Sequence, residues 1–108
     1  MRISKNDVLV DVYTPTFTEN SEGYKVATWT RILEDVGMDL QPIGPKVNLN
    51  LYGLDKTAAG ARQAFFDLPI LNMGMVVSSG GTNYMVKGVH DWYTHSEAIL
   101  EPFEVVLP

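Results

Sequence analysis

The chain contains no cysteine among its 108 residues. Disulfide bonds, thiolate nucleophiles and cysteine-ligated metal sites are therefore excluded, and packing alone has to hold the fold together. Basic residues are also few, with 8 Lys and Arg against 13 Asp and Glu, for a net charge of -5. Because dedicated nucleic-acid binders neutralise phosphates with a surplus of basic residues, this composition argues against tight binding of DNA.

Long apolar runs are missing as well. Residues 1–10 carry three charged side chains and no apolar stretch long enough for a signal peptide or a membrane span, which predicts a protein that stays in the compartment where it is made, away from membranes. Hydrophobic residues nevertheless make up 45% of the chain. That fraction and the length predict one globular domain covering residues 1–108.

The first half of the chain shows the period-two pattern of β-strands. Alternating valines predict a strand over residues 7–13, which Pro15 is expected to end, and polar residues 16–23 predict an exposed loop. Residues 24–33 and 36–42 predict a second and a third strand, separated by a polar pair. The sequence therefore predicts a three-stranded meander at this end.

The middle of the chain gives weaker signals. Residues 47–51 alternate as a strand would, although Gly and Pro residues flank them. Residues 55–62 include good helix formers around a glycine, which predicts a single helical turn or an irregular loop. Residues 63–68 form a short strand candidate.

The last third contains the clearest hairpin. Apolar residues 75–78 lead into Gly80 and Gly81, and residues 84–86 leave the turn as a second strand. The alternation then slips at Gly88, which predicts a β-bulge. Residues 98–107 predict a final strand in which Pro102 marks an edge or a bulge.

The sum of these elements predicts an all-β fold. We expect a small, partly open β-barrel or a sandwich of about six to seven strands, with long loops and at most one short helical turn.

One local group has the chemistry of metal ligands: His90, Asp91, His95 and Glu97. The two histidines differ in parity along an extended strand and there is no third histidine, so a polar turn is favoured over a metal site. The sequence thus predicts no metal and no cofactor. A small ligand- or metal-binding barrel that uses His90 and His95 remains an alternative.

No pattern of a catalytic nucleophile is present. Ser96 lies beside His95, but no Gly-x-Ser-x-Gly turn surrounds it. Glu97, Glu101 and Glu104 could pair as acid and base, and we interpret them instead as solvated acids on an edge strand. The chain is therefore predicted not to be an enzyme.

Residues 81–102 resemble the C-terminal half of the small head-closure proteins of tailed bacteriophages, which are also called head-tail connector, adaptor or stopper proteins. The likeness consists of a Gly-x-x-Tyr-x-Val hairpin strand, followed by Val89 and Trp92, and then by the residues that lead into the closing strand. Trp29, the pair Gln41-Pro42 and the pair Tyr52-Gly53 are similar to the same family.

The resemblance implies a structural virion protein without enzymatic activity. Such a protein forms a homo-oligomeric ring below the portal, closes the DNA-filled capsid and docks the tail. Its partners would be a portal or adaptor protein above and a tail protein below, with DNA passing through the channel without sequence-specific binding. It would reside in the virion, and in the bacterial cytoplasm during assembly. A tail-completion or tail-terminator protein of the same particle is a further alternative.

In that interpretation two polar segments, residues 16–23 and 53–62, are the candidate arms or gate. Large aromatic side chains such as Trp92 and Tyr93 suit either the cap of a small barrel core or a subunit interface. The candidate interface or gate residues are Trp29, Tyr52, Lys56, Arg62, Trp92, Tyr93 and His95.

Overall fold

Six antiparallel strands form the fold of the described part of the chain. A computed structural model describes residues 8–43, 49–54, 56–57, 59–67, 70–92 and 95–107. The elements are β1 (Val8–Glu19), β2 (Lys25–Pro42), a 3-10 helix η1 (Leu49–Tyr52), β3 (Arg62–Phe66), β4 (Val76–Ser79), β5 (Thr82–Asp91) and β6 (Ser96–Pro102). For the described residues, the predicted all-β class, the number of strands and the limit of at most one short helical turn are confirmed.

The sheet closes on itself in the order β1-β2-β3-β6-β5-β4. β4 completes the closure because it pairs with β5 along one edge and with residues 11–13 of β1 along the other. The sheet therefore forms a closed barrel in which β6 is a central strand between β3 and β5. Among the described residues no helix has the length and apolar character needed to span a membrane.

Apolar side chains fill the interior of the barrel. Period-two alternation directs every second residue of each strand inwards, as the valines of β1 predict. The buried cluster draws on all six strands and on Leu71, and it consists of Val10, Val12, Met38, Ala64, Phe66, Leu71, Val77, Tyr84, Val86, Ala98 and Leu100. Because these side chains occupy the interior, the barrel has a packed core.

β1 is longer than its sequence predicts. Pro15 was expected to end it, yet the strand continues to Glu19, and the predicted loop over residues 16–23 shrinks to a short turn. Beyond residue 13, β2 is the one described strand that pairs with β1, so Pro15, which has no N–H, lies in a ladder whose other edge is unpaired among these strands. The turn is held by the Asn20 side chain, whose Oδ1 accepts hydrogen bonds from the backbone N–H of Glu22 and of Tyr24, each at 3.0 Å.

β2 replaces the two strands predicted over residues 24–33 and 36–42. It runs through both as one strand of 18 residues. The polar pair between them is a β-bulge, because Asp35 adopts a positive φ of 53° and the register with β1 shifts at this point. The backbone N–H of Asp35 donates to Oδ1 of Asp11 at 3.1 Å. Asp35 bends the strand and does not end it.

One further strand prediction was wrong, and another strand has different bounds from those predicted. The strand expected over residues 47–51 is absent from its described part, where residues 49–52 form η1, and residues 47 and 48 lie outside the described residues. The final strand expected over 98–107 is β6, which begins two residues earlier and ends at Pro102. In the predicted turn over 55–62 the described residues are not helical, Arg62 begins β3, and residues 55 and 58 are not described.

The β4–β5 hairpin and the bulge at Gly88 are confirmed. Gly80 and Gly81 form a two-residue turn with φ values of 56° and 88°, the left-handed conformation that such turns require. The register between β5 and β6 shifts between Val86 and Gly88. The local glycine signals thus located both features correctly.

Candidate functional site

A small outer layer covers the barrel where β3, β6 and β5 lie side by side. The 3-10 helix η1 rests on the outside of β5, and its Tyr52 side chain is only 5% exposed. A Cβ atom on Gly88 would lie 2.4 Å from the backbone oxygen of Tyr52, so the helix backbone occupies the space of a side chain at this position. Ile99, which is the partner of Gly88 on β6, is fully buried.

The Glu97 carboxylate is the centre of a hydrogen-bonded group on this outer face. Its Oε2 accepts hydrogen bonds from the Tyr52 hydroxyl at 3.1 Å and from the Trp92 indole N–H at 2.5 Å, while the Gln63 amide donates to the Tyr52 oxygen at 3.0 Å. The other carboxylate oxygen, Oε1, lies 3.5 Å from Nε2 of His95. We refer to Tyr52, Gln63, Trp92, His95 and Glu97 as the Glu97 cluster.

The interpretation of Glu97 as a solvated acid on an edge strand was wrong. Its side chain is only 14% exposed, and its strand, β6, has neighbours on both sides. A carboxylate in such a position needs hydrogen-bond donors to compensate for the water it loses, and the cluster supplies them.

Aromatic rings extend the Glu97 cluster towards the surface. The ring of His90 meets the edge of Trp92 at a centroid distance of 4.5 Å, and the His95 ring stacks on Trp92 at 6.3 Å with 19° between the planes. Trp92 is still 46% exposed. It does not cap the barrel core, and it presents a large apolar surface whose orientation is fixed by its neighbours.

The environment of Tyr52 shifts the pKa of its phenol. Burial raises the pKa of Tyr52, the hydrogen bond from Gln63 lowers it, and the nearby charge of Glu97 raises it further. The net effect is upward, so the phenol stays protonated and donates to the carboxylate. These contacts fix side chains in place, and they do not generate a nucleophile.

The structure does not bring the predicted polar group together as one site. Its members, His90, Asp91, His95 and Glu97, take part in separate contacts. His90 pairs across the strands with Glu97, whereas Asp91 pairs with Ser96 and accepts a hydrogen bond from its hydroxyl at 2.7 Å. Within the described part of the chain, no three His, Asp or Glu side chains come together as a metal site. Ser96 is 2% exposed, so its hydroxyl is poorly placed to attack a substrate.

The second candidate surface is the far part of the β1–β2 hairpin. We call residues 14–30 the arm. β1 and β2 pair there from Thr14 with Thr30 to Glu19 with Lys25, beyond the reach of β4 and β3. Alternation places Thr14, Thr16, Thr18, Val26, Thr28 and Thr30 on one face and Pro15, Phe17, Ala27 and Trp29 on the other.

The arm exposes large apolar side chains and free strand edges. Phe17 is 64% exposed and Tyr24 is 67% exposed. Among the described strands, none pairs with the outer edge of β2 from residue 25 to residue 38, because β3 begins to pair at residue 39. Trp29 at the base of the arm meets the ring of Phe103 edge-on at 6.1 Å. Exposed aromatic residues beside unpaired strand edges are typical of association surfaces.

The seven predicted interface residues are thus distributed over several places. Tyr52, Trp92 and His95 come together in the Glu97 cluster, and Trp29 lies at the base of the arm. Lys56 is exposed in the segment before β3, and Arg62 begins β3 and is half-buried. The prediction for Tyr93 falls outside the described residues.

Sequence reasoning missed Gln63, Phe17 and Tyr24. No sequence signal connects Gln63 to Glu97, since they meet only through the pairing of β3 with β6. The exposure of Phe17 and Tyr24 follows from the period-two alternation once Pro15 is placed in a strand that is paired on one side.

Comparisons with protein-family models, with curated proteins and with solved structures find no match.

Proposed function

We propose that this chain is a structural subunit of the head-tail connector of a tailed bacteriophage. In this proposal it forms a ring below the portal, closes the DNA-filled capsid and docks the tail. The resemblance of residues 81–102 suggests the particle, and the exposed arm is the observation that carries the role, because a subunit of an assembly needs a surface that its own fold leaves uncovered.

The packed interior of the barrel determines where a DNA channel would run. Buried side chains fill the barrel, so a duplex cannot pass through a single chain. A channel would have to lie between several copies arranged around an axis. With a net charge of -5, the wall of such a channel would repel phosphates, so DNA would slide through it without sequence-specific binding.

The Glu97 cluster would serve as a docking point for a neighbouring protein. Trp92 is held by a hydrogen bond to Glu97 and by the rings of His90 and His95, while nearly half of its surface remains exposed. A large aromatic side chain that is already fixed loses little conformational entropy when it enters a pocket. We assign this surface to the contact with the portal, adaptor or tail protein.

The proposal is tested by mixing the purified chain with portal-bearing capsids that lack it. We expect stoichiometric binding at the portal vertex, measured as copies per particle, and we expect the chain in mature virions. Absence from mature particles would refute the proposal. Binding to isolated tails with no binding to capsids would instead identify a tail-completion or tail-terminator protein.

A further inference from the structure

The two long edges of the arm are unpaired among the described strands. β4 lies beside β1 as far as residue 13, and β3 lies beside β2 from residue 39 onwards. Between these limits, residues 14–19 and 25–30 pair with each other, and none of the described strands covers their outer edges. An open edge of this kind is a template for pairing with another strand.

The hydrogen bonds of the hairpin determine which backbone groups lie on these edges. The N–H of Asn20 donates to the backbone oxygen of Tyr24 at 2.8 Å, so the pair beside the turn is hydrogen-bonded. Because bonded and non-bonded pairs alternate in an antiparallel ladder, Glu19 and Lys25 form a non-bonded pair, and every second pair below them does the same. The residues whose N–H and C=O groups point away from the hairpin are therefore Pro15, Phe17, Glu19, Lys25, Ala27 and Trp29.

The two faces of the arm are less suited to association than its edges. At the base of the arm one face is turned towards the body of its own chain, since Pro15, Ala27 and Trp29 are half-buried and Trp29 meets the ring of Phe103. The opposite face consists of threonines and one valine, so it has no large apolar side chain to bury. The edges are the part of the arm that can still form many regular contacts.

Resting on the ring proposed above, we infer that the β2 edge of one arm pairs with the β1 edge of the arm in the next copy. The arms of all copies then form one continuous antiparallel sheet. Neighbours in a ring differ by a rotation, so β1 of the next copy runs in the direction of β1 and antiparallel to β2.

Charge and closure favour this head-to-tail contact with a second copy. Glu19 and Lys25 are cross-strand partners, so each arm tip is nearly neutral and successive arms would alternate an acid and a base along the row. A closed ring of such contacts leaves no arm edge unpaired. A symmetric contact between two β2 edges would leave the β1 edges of both copies open.

Pro15 makes the two edges unequal. It lies at an outward position, where its missing N–H removes no hydrogen bond from its own hairpin. In the contact between copies, the same position lacks a donor, so the β1 edge offers one hydrogen bond fewer than the β2 edge. This gap weakens the pairing of isolated copies, and we expect the pairing to form where a portal gathers several of them.

Proline substitution in the full-length chain tests the inference. Ala27→Pro removes one outward N–H and places a ring against the next strand, so the concentration needed for half-saturation of portal-bearing capsids should rise about tenfold. Pro15 shows that the hairpin tolerates proline at an outward position. Ala27→Val adds a similar volume but keeps the N–H, and it should cost less than Ala27→Pro. The matched control is Val106→Pro, in an extended segment outside the arm where Val106 is 94% exposed, and it should bind within about twofold of the wild type.

The opposite change should strengthen the contact. Pro15→Ala supplies the missing donor, so the concentration for half-saturation should fall about threefold. Because the new N–H faces outwards, it has no acceptor in its own hairpin, and the gain should appear only when copies assemble.

The cysteine-free sequence allows a second readout that does not depend on the folding of Ala27→Pro. Phe17→Cys marks the β1 edge of one chain and Ala27→Cys marks the β2 edge of another, and the two chains carry tags of different length. On capsids, a short bis-maleimide reagent should link the two chains when they are mixed and should give no dimers with either chain alone. Dimers of Ala27→Cys alone, or of Phe17→Cys alone, would reveal a symmetric contact and overturn the inference.

The remaining outcomes separate the inference from the ring proposal. If folded Ala27→Pro binds capsids as the wild type does, or if the mixed chains are not linked on capsids that bind them, the arm edges are not joined and the inference fails while the ring proposal stands. If the wild-type chain does not bind capsids, the ring proposal fails and the inference falls with it.

Discussion

Replacement of Gly88 by alanine tests whether η1 and the barrel wall are one packed unit. The added Cβ would meet the backbone oxygen of Tyr52 at 2.4 Å and the Tyr52 Cβ at 2.7 Å. Neither atom is the flexible end of a side chain, so either β5 or η1 has to move by about 1 Å to reach ordinary contact distance. Gly88 does not have a positive φ, and alanine therefore brings no backbone strain of its own.

The expected loss of unfolding free energy in G88A has two limits. If η1 stays in place, overpacking costs roughly 1–3 kcal/mol. If η1 detaches, the loss of about 200 Å² of buried Tyr52 surface at about 25 cal/mol per Å² raises the cost to roughly 5 kcal/mol. For a domain of this size 1 kcal/mol corresponds to about 4–8 °C, so the melting temperature of G88A should fall by at least that amount.

The assay is urea unfolding of the wild type, of G88A, of Y52F and of the double variant. Gly53→Ala is the contrasting variant, because Gly53 has a φ of 76° and open space around its Cβ position, so it measures backbone strain without a clash, whereas G88A measures a clash without backbone strain. We expect strong non-additivity between G88A and Y52F, since a displaced η1 no longer uses the Tyr52 hydroxyl. A cost below about 0.5 kcal/mol for G88A, or strict additivity, would refute the packing argument.

Three further predictions concern single residues. Because the pKa of Tyr52 is raised in the folded state, the contribution of its phenol to stability is fully present below the unfolded pKa of about 10 and is lost as pH rises through the folded pKa. The urea midpoint of the wild type should therefore fall at alkaline pH, and Y52F should make that fall smaller. E97A should cost roughly 1–3 kcal/mol in urea unfolding, because it leaves the Trp92 N–H and the Tyr52 hydroxyl without their acceptor, while E97Q should cost less. Asp35→Gly should keep or raise the melting temperature and Asp35→Val should lower it, because Asp35 has a positive φ of 53°.

The parts of the fold that could be predicted are those in which local sequence decides the conformation. Gly80 and Gly81 supply the two positive φ values that a two-residue hairpin demands, and the same rule applies wherever such a turn occurs. The bulge at Gly88 followed from a break in alternation. Its cause could not be predicted, because the backbone of Tyr52, far away in the sequence, is what excludes a side chain there.

The failed predictions for Pro15 and Glu97 share one physical cause, since both depend on which strand lies next to which. A proline would end a strand that is paired on both sides. Pro15 is tolerated because β1 is paired on a single side at this position. Glu97 is solvated on an edge strand and hydrogen-bonded on a central one. Whether a strand is paired on one side or on both cannot be inferred from the residue itself or from its neighbours in the sequence. Since the Glu97 cluster joins η1, β3, β6 and two residues that lie between β5 and β6, several of its residues could be suggested from sequence but their grouping could not.

The arm is too small to hold two copies together without further contacts. Phe17 and Tyr24 are each about two-thirds exposed, and covering both would bury roughly 200–330 Å². A stable interface buries about 800 Å² on each partner, so the remainder has to come from the arm edges and from the body of the neighbouring barrel. An arm contact alone is therefore weak, and we expect the isolated chain to be monomeric in analytical ultracentrifugation and to assemble only where a portal holds several copies side by side. A stable ring formed by the purified chain at micromolar concentration would contradict this, and it would mean that the contact between copies extends well beyond the arm.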